Sequence, residues 1–278
     1  MPPVLRPLAL GELLDHTFQL YRKKFLLFVG IAAIPLLVVF VIQVGLQSAI
    51  FTAPGVAFSP TAMITAGIAF VIGMILFVIA FAVSQAATTV GVSEIYMGRE
   101  ISVWNAYSAI KGKIFRVLGL VFGLGFLTVL GLIFLIVPGI YLVLTWVLAI
   151  PAAMIEKLGV FKAAGRSKVL VTGARWRMFA ISLLLFLLSY AVLLGLQMPV
   201  IALTMFATGG KITLVSQILT QLSSFVAGSL VAPLGMIAFT LAYYDQRVRK
   251  EGFDIQLMMS SQMQASAAVA GNPGTAGN

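Results

Sequence analysis

The sequence predicts an all-helical, polytopic membrane protein. Six transmembrane helices form three hairpins, each preceded by an interfacial amphipathic helix. Three observations carry this. The charges are clumped: no Asp, Glu, Lys or Arg falls between Phe25 and Ser93 or between Val117 and Ile155, and between Met178 and Tyr244 the only one is Lys211. A charge at the centre of a bilayer costs about 2.5–3.5 kcal/mol on insertion scales, so a lipid core selects for uncharged runs of this length. The composition agrees, at 61% hydrophobic and 9% charged residues, where a soluble domain carries roughly a quarter charged. Finally, the segment ahead of each uncharged run repeats its apolar residues every three and four positions, the period of a helix with one apolar face.

A helix needs about 20 apolar residues to cross the hydrocarbon core. The first run holds two such spans, about 25–47 and 62–89, separated by the turn-rich Thr52-Ala53-Pro54-Gly55 and Ser59-Pro60. The second divides at Pro138-Gly139 into about 114–137 and 140–155; the latter is short for a crossing, and a re-entrant hairpin is the competing expectation. The third holds 178–204 and 212–244, joined at Gly209-Gly210-Lys211. Pro35, Pro151, Pro199 and Pro233 interrupt four of the six spans, and a kink or tilt is expected at Pro233. The first apolar run is longer than a signal-peptide core and follows Arg22-Lys23-Lys24, so it is expected to stay uncleaved. Residues 1–255 form the membrane domain. The Met-, Gln-, Ser-, Ala- and Gly-rich stretch 256–278 is expected to be a disordered cytoplasmic tail.

Six spans put both termini on one side. Of the 18 Lys and Arg residues, all but Lys211 fall on that side, as does every Asp and Glu, and the positive-inside rule makes it cytoplasmic. The net charge of +10 therefore calls for anionic lipid headgroups at the cytoplasmic face and not for nucleic acid. The three surface helices are read from periodicity. Leu10, Leu13, Leu14, Thr17, Phe18 and Tyr21 share one face of the first. Val103, Ala106, Tyr107, Ile110 and Ile114 do so in the second, with Ser102 as N-cap. Val160, Ala163, Ala164, Ser167, Leu170 and Val171 do so in the third. Short helices of this kind, charged on the other face and continuous with a span, suit the headgroup plane.

The inventory for chemistry is thin. There is no cysteine, and His16 is the one histidine. Glu12 and His16 have the i, i+4 spacing of a metal pair, but two ligands are too few, and a solvated face explains them. No catalytic constellation can be built, and neither a metal nor a cofactor is expected. No Asp, Glu or His lies inside a span, which counts against ion-coupled transport; Glu156, beside Lys157, reads as an interface pair. What the spans hold is uncharged polarity at matching depth near the outer face: Gln43 and Gln47 in the first, Gln197 in the fifth, Gln217, Thr220, Gln221 and Ser224 in the sixth. These residues form either a small polar pocket or interhelical hydrogen-bond glue. Gly119 and Gly123, and Gly228 with Ala232, permit close helix approach, more within the chain than between chains. After the last span, Asp245, Arg247, Arg249 and Glu251 are candidates for a cytoplasmic ion network.

Three stretches carry a family resemblance. They are Arg6-Pro7-Leu8-Ala9-Leu10-Gly11-Glu12-Leu13-Leu14-Asp15 running on to Phe25, Pro138-Gly139-Ile140-Tyr141 followed by Trp146, Pro151 and Glu156, and the closing Tyr243-Tyr244-Asp245-Gln246-Arg247-Val248-Arg249-Lys250-Glu251-Gly252-Phe253-Asp254. From Arg6 to Asp254 the chain resembles bacterial proteins described as having a glycerophosphoryl diester phosphodiesterase membrane domain. The resemblance implies a bacterial cytoplasmic membrane and this membrane architecture. In that family's enzymes the activity belongs to a separate soluble barrel that binds a divalent metal and uses histidines, so the resemblance does not carry the activity here. The expected function is a non-enzymatic module that binds lipid or organises the membrane. The alternatives are a transporter or channel-like protein for a small neutral or lipidic solute, and a membrane subunit of a separately encoded hydrolase.

Overall fold

A computed structural model describes residues 6–52, 60–211 and 213–252. These residues are helical with no strand, and six helical stretches, one of them made of two short helices, are long and apolar enough to cross a membrane. The protein is a polytopic membrane protein. Its first hairpin is α2 (Phe25–Thr52) and α3 (Pro60–Tyr96). Ahead of it runs α1 (Leu10–Lys23). Then α4 (Val103–Ile110), prolonged by a 3₁₀ turn at Lys111–Lys113, leads into α5 (Ile114–Phe134). The second hairpin returns through α6 (Ile136–Trp146) and α7 (Ala149–Ile155). The third unit is α8 (Val160–Val171), α9 (Arg175–Thr208) and α10 (Leu214–Glu251). Most of the loop expected around Pro54, Ile212, and the stretch 256–278 lie outside the described residues.

Several boundaries move, each for a physical reason. The turn of the second hairpin is at Leu135, extended at φ −158°, and not at Pro138-Gly139. Pro138 is the third residue of α6, inside the first turn, where a backbone N–H has no helical acceptor and its absence costs nothing. Gly139 then serves packing: a Cβ there would lie 2.4 Å from Leu132 of α5. Pro151 repeats the logic as the third residue of α7, after a break at Val147-Leu148. The fourth span is thus Ile136–Ile155, 20 residues in two pieces. Its partner α5 has 21 residues, about 31 Å of helix, enough for the hydrocarbon core. By contrast α2, α9 and α10 run unbroken through Pro35, Pro199 and Pro233. Of the expected GxxxG pair, a Cβ on Gly119 would lie 3.1 Å from Val160, whereas one on Gly123 would meet open space.

The three units close on one another. Each surface helix packs on the second span of the unit before it: α4 on α3, α8 on α6 and α7, and α1, completing the cycle, on α10. The buried faces are Leu13, Thr17 and Leu20 of α1, Ala106 and Ile110 of α4, and Ala163, Ser167, Leu170 and Val171 of α8. In α1 the face is turned slightly from expectation, with Leu20 inside and Phe18 exposed. The second residue of α2, α5 and α9 points outward in every unit, Leu26 at 83%, Phe115 at 91% and Trp176 at 84% exposure. This is a ring of large apolar side chains at one level, suited to the membrane interface.

Each surface helix also sends a hydroxyl into an imperfect span. Pro35 has no N–H for the Ile31 carbonyl, and the Tyr107 hydroxyl of α4 donates to that carbonyl instead. Tyr21 of α1 donates to the Leu230 carbonyl, 2.8 Å away, in the turn of α10 that Pro233 disturbs. Ser167 of α8 donates to the Thr145 carbonyl at 2.7 Å and accepts from the Leu148 N–H at 3.2 Å, bridging the break between α6 and α7. The main core lies here, at the end of the bundle that carries the charged clumps.

Candidate functional site

At the opposite, charge-poor end the packing opens. Two cavities, of about 560 and 430 Å³, share Gln47 and Gln217 as lining residues. The first lies between α2, α3 and α10; beside Gln43, Gln47 and Gln217 its walls are apolar, including Leu46, Phe70, Met74 and Phe77. The second lies between α2, α9 and α10; Thr204, Thr208, Lys211, Ser216, Thr220 and Gln221 stand around it together with the apolar Ile201 and Met205. The Gln47 side-chain oxygen is buried there without a hydrogen-bond partner. Toward the charged end the space is closed by Leu36, Val39 and Ala80 with Leu76 and Phe225, and the Phe40 and Phe225 rings lie 5.7 Å apart.

The structure divides the expected glutamine cluster. Gln43, Gln47, Gln217 and Gln221 line the cavities. Gln197 donates to Ser224 Oγ at 2.6 Å, a direct α9–α10 bond of the helix-gluing kind. Beyond the apolar floor lies a polar row that the sequence reading passed over: Ser84, Gln85, Thr88 and Thr89 of α3 are all buried. The Gln85 oxygen and the Thr88 hydroxyl have no partner. Their spacing, i, i+1, i+4, i+5 within an uncharged run, was the available signal. The row leads to Ser93, whose hydroxyl is 2.7 Å from that of Tyr244.

At the charged end, the four residues named after the last span fall into two i, i+4 pairs on two faces of α10. Asp245, its side chain fully buried, lies 3.0 Å from both Arg177 and Arg249 and accepts the Leu8 N–H at 2.7 Å. Both arginines donate to the Leu8 carbonyl, at 2.7 and 2.6 Å. The backbone of one residue, Leu8, thereby ties the segment before α1 to α9 and α10. The other pair, Arg247 and Glu251, meets Arg166 of α8 and Glu156 at the end of α7. Glu156 is not paired with the adjacent Lys157; it lies 2.9 Å from Arg166 and also accepts from Tyr243. Hydrogen bonding to Glu251 holds the Arg166 guanidinium even further above its ordinary pKa. Glu12 accepts from Arg6 at 2.6 Å and from the Ala9 N–H at 2.8 Å, and the Arg6 bond lowers its carboxyl pKa. Glu12 thus serves as a helix cap beside His16. Among the described residues no group of three or more His, Asp or Glu gathers as metal ligands would.

Compared with protein-family models, curated proteins and solved structures, the chain matches none.

Proposed function

We propose that this protein is a lipid-binding membrane module, acting by holding an amphiphile and not by catalysis. The observation that carries the reading is the pair of adjoining cavities meeting at Gln47 and Gln217, both largely apolar in wall, with Lys211 and most of the hydroxyl side chains gathered around the second. A ligand with an acyl chain and a polar head fits such a pair, because an unpaired polar group among apolar walls costs several kcal/mol, and the side chains around the second cavity can satisfy a head while the aromatic and aliphatic walls of the first pack a chain. By the positive-inside rule the charged end is cytoplasmic, so the cavities open toward the outer leaflet. The exposed cations of the cytoplasmic end would then face anionic headgroups. The resemblance of the Arg6–Asp254 region points to a bacterial cytoplasmic membrane.

Native mass spectrometry of the purified protein tests this. It should show one retained lipid, and Gln217→Leu with Gln221→Leu should remove it while the folded yield is preserved. A variant that loses folded yield yet keeps lipid on its folded fraction would assign the glutamines to helix packing. A second reading, transport of that solute, is favoured by the unpartnered Gln85 and Thr88 atoms beyond the apolar floor. Substrate-dependent flux in proteoliposomes would select it.

A further inference from the structure

Resting on the lipid-binding reading, we infer that the cavity between α2, α9 and α10 is built for an anionic headgroup, with Lys211 as its charge partner. The donor inventory points there. Thr208 commits its proton to carbonyl oxygens at 2.7 and 2.8 Å, Ser216 to Thr213 O at 2.8 Å and Thr220 to Ser216 O at 2.9 Å. The donors left free to face the cavity are the Lys211 ammonium and the amide N–H groups of Gln47, Gln217 and Gln221, beside the unpartnered Gln47 oxygen, an acceptor. A phosphate or carboxylate accepts hydrogen bonds, and an ammonium supported by amide N–H groups supplies charge and donors together.

Charge supports the same assignment. Every described Asp and Glu lies at the charged end of the bundle, and Lys211 forms no ion pair among the described residues. Its counter-charge is therefore not supplied by the described chain. The first turn of α10, which contributes Ser216 to the lining, brings the positive end of a 38-residue helix to the same mouth. The adjoining apolar cavity distinguishes a lipid headgroup from a free anion: Leu46, Phe70, Met74 and Phe77 have nothing to offer an ion that lacks a chain.

The test is competition between phosphatidylglycerol and phosphatidylcholine of identical acyl chains, presented to the 278-residue protein in mixed nanodiscs and read by native mass spectrometry. The wild-type chain should prefer the anionic lipid. Lys211→Gln should lower that preference about tenfold or more, the scale of one charge-assisted hydrogen bond. Lys211→Arg should keep it. Lys162→Gln, which removes an exposed cation at the charged end, should leave it unchanged, separating this site from general attraction to basic surface. Equal retention of the two lipids overturns the inference and leaves the lipid-binding reading standing, as does a Lys162→Gln loss matching that of Lys211→Gln. Retention of neither lipid overturns both. Inorganic phosphate should not raise the melting temperature; a rise equal to that given by phosphatidylglycerol would make a free anion the ligand and sink the lipid assignment.

Discussion

Single side chains here repair the backbone defects that membrane helices tolerate. A proline removes one donor, and in hydrocarbon the stranded carbonyl has no water to turn to. Tyr107 answers Pro35 through the Ile31 carbonyl. A double-mutant cycle measures this. Tyr107→Phe should cost about 1–3 kcal/mol by thermal unfolding in detergent. In a Pro35→Ala background, where residue 35 regains its N–H, the same change should cost clearly less; strictly additive losses would show that the two do not act on one carbonyl. Asp245 is a second such point, a fully buried carboxylate between Arg177 and Arg249. Asp245→Asn keeps an acceptor for Leu8 but removes the charge facing two guanidinium groups that still hold the Leu8 carbonyl, for an expected loss of about 1–3 kcal/mol. A loss below about 1 kcal/mol would mean that solvent screens the cluster.

Among the elements, the α5–α6 hairpin depends on one close approach. A methyl at Gly139 would overlap Leu132, and a methyl at Gly131 would lie 3.3 Å from the Gly139 Cα on the facing helix. Gly139→Ala should therefore destabilise by about 1–3 kcal/mol through overpacking, while Gly123→Ala, which meets open space, should be near neutral. Thermal unfolding of the two variants side by side checks the pair, and equal effects would refute the packing argument. The hairpin also shows why Pro-Gly misleads as a turn signal. The dipeptide permits a turn, but a proline is equally at home in the first turn of a new helix. Which of the two occurs is decided by the Leu132–Gly139 approach, a tertiary fact.

For the whole molecule, the described ends come together: the segment before α1 is bonded to the last turns of α10. Orientation is testable because the native chain lacks cysteine. Single cysteines at Val137 and Gly210 should react with an impermeant maleimide from outside intact cells. Cysteines at Ser108 and Gly165 should react only after permeabilisation, and the reverse pattern would invert the topology. Cysteines at Gly139 and Ser167 would be poor probes, since the first would overlap Leu132 and the second is buried in the α6–α7 break. The six spans, the three surface helices and the Ser102 cap were legible because each rests on local periodicity and on the cost of charge in lipid. Glu156 was misread as a partner of Lys157 because its actual partners lie 10 and 87–91 positions away. The glutamines were visible as a group at one depth, but their separation into cavity walls and an α9–α10 bond was not, since depth along a span says nothing of rotation against its neighbours. By itself, then, the sequence determined what the lipid solvent imposes, namely where the chain crosses and which end holds charge, since hydrophobicity and helical period act residue by residue. Only the tertiary structure decided that α1 closes a cycle on α10 and that two cavities meet at Gln47 and Gln217. Those outcomes depend on shape complementarity between helices far apart in the chain, and no local pattern encodes it.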